Sequence, residues 1–166
     1  NCDAVKFQSY LPNSRVSKFV KSEKYYEKII GTEESISELF ERVHFDFKVQ
    51  RKIFNYAKKK KIMLFSTPSD FESADFLEKL GVNAFKISSA DLVNIPLIKH
   101  VAKKLKPIII STGMSKISEI DEAVEAVRSS GNRNLILLHC NSCYPSAYVE
   151  VNLKFMDTLK KMYNFI

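Results

Sequence analysis

What the chain lacks narrows it first. No apolar run among the 166 residues approaches the ~20 that a membrane span needs, and no basic start with an apolar core marks a secretory signal. A cytoplasmic protein with no membrane partner is the expectation. The only cysteines are Cys2, Cys140 and Cys143, an odd number that suits a reducing compartment better than a secreted one. Cys140 and Cys143 form a C-x-x-C, but no second pair completes a zinc site, so no metal ligands are assigned to them. No Gly-x-Gly-x-x-Gly follows any apolar run, which leaves a dinucleotide cofactor without support. No methionine opens the chain; Asn1 stands two residues before a candidate strand, and that start reads as a cut end.

What is present is ordinary for one globular domain: 45% hydrophobic and 27% charged residues. The net charge of +7 raises the question of nucleic acid. Much of that excess lies in Lys58 to Lys61 and in Lys103, Lys104 and Lys106, each near the end of an expected helix, where cations offset the helix dipole. Solvated helix ends are the preferred explanation, and no nucleic-acid partner is expected. Attraction of small anions is a further consequence.

Strands and helices alternate. Apolar runs at Ala4–Phe7, Ile62–Phe65, Ala84–Ile87, Pro107–Ile110 and Leu135–Leu138 read as strands. Between them Asp46 caps a helix to about Lys60, with Val49, Ile53, Tyr56 and Ala57 along its apolar face. Phe71–Leu80 is a helix stopped by Gly81, and Pro96–Lys104 is another. Ser118 caps a helix from Glu119 with Ile120, Ala123, Val124 and Val127 buried, and a last helix runs from Asn152 to about Tyr163. A short helix opened by Gly31-Thr32-Glu33-Glu34 falls within a long irregular connection. Successive βα units imply an α/β fold with a parallel sheet. A closed (β/α)8 TIM barrel needs about 200 residues or more, so the chain reads as five consecutive units of one, a partial catalytic domain over residues 1–166.

Each strand ends in polar atoms: Lys6 and Gln8, Ser66 and Thr67, Lys86 and Ser89, Ser111 and Thr112, then His139, Asn141 and Ser142. In such folds the carboxyl ends of the strands carry the chemistry. Two lysines with several hydroxyls and no arginine fork suit a small ligand bearing phosphate and carboxylate groups. Lys6 and Lys86 look like partners, and Gly113 would let backbone approach the ligand closely.

At these residues the sequence resembles the N-acetylneuraminate (sialic acid) synthase family. The motifs are Asp3-Ala4-Val5-Lys6-Phe7-Gln8, Gly31-Thr32-Glu33-Glu34-Ser35, Phe65-Ser66-Thr67-Pro68, Phe85-Lys86-Ile87-Ser88-Ser89, Ile110-Ser111-Thr112-Gly113-Met114, and Leu138-His139-Cys140 leading to Tyr144-Pro145. The resemblance implies a barrel transferase that condenses phosphoenolpyruvate with an N-acetylated mannose-type sugar, releasing phosphate. By motif, Lys6, Thr67, Lys86, Ser89 and Ser111 would hold phosphoenolpyruvate, and Gln8, Asp91, Ser142 and Tyr144 would face the sugar. Asp91 stands where the family often has glutamate, and Ser142 where it can have asparagine. The family's first strand with its acidic catalytic residue, its metal-binding histidines and its C-terminal antifreeze-like domain have no counterpart in this sequence. The resemblance therefore implies a divalent metal, manganese or magnesium, with ligands elsewhere, a homodimer when full length, and no activity from these residues alone. His139 is not promoted to a metal ligand.

Two other classes stay open on the residues themselves. One is a Schiff-base aldolase using Lys6 or Lys86 as nucleophile; the other is a non-catalytic module binding anions or nucleic acid.

Overall fold

The computed structural model describes residues 2–16 and 35–163. Five strands make one parallel sheet: β1 (Ala4–Ser9), β2 (Met63–Pro68), β3 (Phe85–Ile87), β4 (Ile108–Ser111) and β5 (Leu135–Leu138), in the spatial order β1-β2-β3-β4-β5. Seven helices are described: α1 (Pro12–Arg15), α2 (Ile36–Arg42), α3 (Phe47–Lys60), α4 (Phe71–Leu80), α5 (Ile95–Ala102), α6 (Ile117–Ser129) and α7 (Phe155–Tyr163). The helix expected to open at Gly31 lies outside the described residues.

Local chemistry explains most of the boundaries. Asp46 caps α3 through Val49 N at 2.7 Å, and Asp70 caps α4 through Ser73 N at 2.7 Å. Gly81 ends α4 at φ +80°, the left-handed conformation that a Cβ disfavours. Ser118, expected as a cap, sits inside α6 instead. The helix starts at Ile117 because the Glu119 carboxylate accepts from Lys116 N at 2.7 Å, closing the first turn from within. Asn152 likewise precedes α7 rather than opening it, and has φ +43°.

The apolar face of α3 matches the expected one at Ala57, which is buried, and at Ile53, which packs against the core, and differs at the other two positions. Gln50, Phe54 and Ala57 are its buried residues, whereas Val49 and Tyr56 are exposed. The cause is polar: Gln50 accepts from Ser9 Oγ at 2.5 Å and donates to Phe45 O at 2.7 Å, so an amide takes a place on the buried side.

Strand alternation sorts the sheet into two faces. Val5, Phe7, Leu64, Phe85, Ile87, Ile108, Ile110, Leu135 and Leu137 pack with the buried residues of the helices in one core. Ser9 and Ser66 also point to that side, their hydroxyls 2.8 Å apart. The opposite face carries Lys6, Gln8, Met63, Thr67, Lys86, Ser111, Ile136 and Leu138. Of these Lys6, Gln8, Met63, Ile136 and Leu138 are exposed.

The basic residues near the helix ends are used locally. Lys58 Nζ donates to Leu80 O at 3.0 Å, Lys106 Nζ to Val82 O at 2.6 Å, and Lys104 pairs with Asp75 and Glu78 across α4 and α5. No helix among the described residues is long and apolar enough to cross a membrane.

Candidate functional site

The strands bring their carboxyl ends to one cavity of about 310 Å3. Parallel register does the alignment. Gln8 lies opposite Thr67 between β1 and β2, Ser66 opposite Phe85 between β2 and β3, and Lys86 opposite Ile109 between β3 and β4. Because side chains alternate, Lys6, Gln8, Thr67, Lys86 and Ser111 then project to the same side.

Lys86 is the buried charge of the site, 8% exposed. Its ammonium donates to Ile87 O at 2.6 Å and to Ser111 Oγ. An ammonium has three N–H donors, so these two bonds leave one for a ligand. Burial pushes the Lys86 amine down to about 8; the neighbouring Cys140 opposes the shift, the Lys6 cation adds to it, and Asp91 opposes it again. Lys6, exposed on the edge strand β1, lines the same cavity.

The loops supply the rest. Ser89 opens a 3-10 turn after β3, and its Oγ accepts from Gly113 N at 3.1 Å. A Cβ on Gly113 would meet Ser142 Oγ at 2.8 Å and Ser89 Oγ at 2.9 Å. The space expected for a ligand beside Gly113 is thus taken by two serine hydroxyls, and the glycine serves to let them close in. Tyr144 stands at the rim, 84% exposed.

Eight of the nine residues expected in the site line this cavity: Lys6, Gln8, Thr67, Lys86, Ser89, Ser111, Ser142 and Tyr144. Asp91 does not. Its carboxylate pairs with Arg15 Nη1 at 3.3 Å and accepts from Ser88 Oγ at 2.5 Å, so it ties the segment after β1 to the turn after β3. Ser88 and Cys140 line the cavity without having been expected there. Of the other strand-end polar groups, Ser66 faces the helices, Thr112 Oγ1 donates to Leu138 O at 3.0 Å, and His139 Nε2 meets Val151 O at 2.7 Å. These three build the scaffold. Among the described residues no group of three His, Cys, Asp or Glu side chains is placed to hold a metal ion. The metal that the resemblance implies therefore has no ligand set among them, and what this cavity offers chemically is anion binding and charge neutralisation.

Comparison with known proteins follows the same lines. The model of the NeuB family matches residues 1–166. The N,N'-diacetyllegionaminic acid synthase of Campylobacter jejuni is 40% identical over 95% of this chain, and a pseudaminic acid synthase of Campylobacter jejuni is 31% identical over 98% of it. The chain spans 48% and 47% of those relatives. Among solved structures, the N-acetylneuraminic acid synthetase of Leptospira borgpetersenii, crystallised with citrate, aligns over 98% of this chain and 52% of its own. The TM-score is 0.84 at 31% identity.

Proposed function

The chain belongs to the NeuB family, and from that premise we propose that it forms the phosphoenolpyruvate-binding part of a synthase that condenses phosphoenolpyruvate with an acetamido sugar, giving a nine-carbon acid and phosphate. The fold supports this reading as an arc of a (β/α)8 barrel. Strand order follows chain order without the reversal of a doubly wound sheet, and the core joins all five strands to the helices on one side, as an outer helical ring requires.

The observation that carries the proposal is the buried Lys86 ammonium in a cavity that Lys6, Thr67, Ser89 and Ser111 also line. Fixed cations and hydroxyls of this kind hold phosphate and carboxylate without reorganising as the reaction proceeds. Gln8, Ser142 and Tyr144 form the outer side and would face the sugar. Asp91 takes a positioning role, holding Arg15 and Ser88. Calorimetric titration of the chain with phosphoenolpyruvate tests the assignment. Lys86→Ala should weaken binding by a factor of order ten to a hundred, as expected for a lost charge-assisted contact of roughly 1.5 to 3 kcal/mol. Unchanged binding would remove Lys86 from the site.

One observation favours a second reading. An amine with a pKa of about 8 is also a usable nucleophile, so a Schiff-base aldolase would employ the same lysine. Borohydride reduction in the presence of pyruvate separates the two: a stable adduct on Lys86 supports the aldolase, its absence the synthase.

A further inference from the structure

Cys140, like Ser88, lines the cavity without a task in the proposed reaction, and it is the nucleophilic thiol among the lining side chains. Its Sγ lies 3.3 Å from Ser111 Oγ, the hydroxyl that also accepts from Lys86 Nζ. Thiol and buried cation thus meet at a single hydroxyl. Cys140 is partly exposed and lines the cavity together with Lys6 and Lys86. Cysteines in such electropositive, accessible surroundings are the ones that react.

We propose that Cys140 is a covalent modification site for small electrophilic carboxylates. The proposal rests on the reading of the cavity as an anion site. The lysines hold the carboxylate, and that places the electrophilic carbon beside Sγ, converting an encounter in solution into a local one. With an α-halo acid the sulfur lone pair forms the S–C bond, the carbon–halogen bond breaks, halide leaves with the bonding electrons, and the thiol proton passes to water. Neither oxidant nor reductant is required. Cys2 and Cys143 are exposed and do not line the cavity, so they serve as internal references.

The test compares iodoacetate with iodoacetamide, which deliver similar carbon electrophiles with and without negative charge. Alkylation rates at each cysteine of the chain are read by peptide mass spectrometry. At Cys140 the iodoacetate-to-iodoacetamide ratio should exceed that at Cys2 by about tenfold, the low end of what charged clefts contribute to local concentration. Inorganic phosphate should slow the reaction of Cys140 with iodoacetate and spare Cys2, and raising the salt should shrink the excess in the unaltered chain. Lys86→Met should bring the ratio down to that of Cys2. Equal ratios at Cys140 and Cys2 in the unaltered chain would overturn the proposal, even if phosphoenolpyruvate binds. A high ratio without phosphoenolpyruvate binding would leave the thiol site standing and remove the synthase reading instead.

Discussion

At Lys86 the cost of burying a charge and the need to hold an anion act on one nitrogen. With its pKa lowered to about 8, the amine is charged below that pH and neutral above it. Affinity for phosphoenolpyruvate should therefore be level at pH 6 to 7 and fall above pH 8, by about tenfold per unit, as titration calorimetry across that range would show. The stability effect has the opposite sign. An unfolded lysine binds its proton up to about 10.5, so between about 8 and 10.5 the unfolded state holds more protons than the folded one, and Lys86's contribution to stability rises with pH. A pH-independent affinity would mean that Lys6 alone supplies the charge. Gly113 permits a sharper structural test. Gly113→Ala should cost about 1 to 3 kcal/mol in urea denaturation through overpacking against Ser142 and Ser89, and Ser142→Gly in the same chain should restore part of the loss. The lysines of the site were legible because each interrupts an apolar run, and the hydroxyls because they follow one. Asp91 lies apart from the cavity lining because a residue on a 3-10 turn leaves the strand direction, here toward Arg15. Cys140 offered no signal, since a thiol at a strand end reads the same whether it packs or lines a pocket.

At the scale of elements, Asp70 joins two of them. One carboxylate oxygen caps α4 through Ser73 N; the other accepts from Leu11 N at 2.8 Å and Ser14 Oγ at 3.0 Å, strapping the segment after β1 to the top of β2. Asp70→Ala removes both and should destabilise by about 2 kcal/mol. Asp70→Asn keeps a capping oxygen but turns an N–H2 toward two donors, and should cost about half as much. Equal losses from the two substitutions in urea denaturation would show that the strap contributes nothing. Most helices and strands were readable from caps and apolar runs, but Ser118 and Asn152 are not the starts expected of them, and the buried face of one helix was legible only in part. On α3 the polar Gln50 is buried by its bonds to Ser9 and Phe45, which hid the true face and favoured one containing the exposed Val49 and Tyr56. Period-two alternation, applied to Ser66-Thr67, already assigns one hydroxyl to the helices and the other to the cavity.

For the molecule as a whole, the uncovered side of the sheet governs behaviour. Parallel sheets are normally covered on both faces, yet Met63, Ile136 and Leu138 are exposed opposite the helices, and β1 and β5 are the two outer strands of the sheet among the described residues. The chain should therefore associate as its concentration rises in sedimentation velocity, and replacing Ile136 and Leu138 by lysine should lower that tendency. A monomer at every concentration would show that the exposed face is tolerated. The strand order has a kinetic meaning as well. Every strand pairs with its predecessor in the chain, so the sheet can grow by adding one βα unit at a time as the polypeptide emerges from the ribosome, with a modest loop to close at each step from β2 onward and a longer one between β1 and β2. The fully buried residues concentrate in β3, α5, β4 and α6, which makes that middle segment the natural seed. Its amides should be the last to exchange with deuterium, and those of β1 among the first.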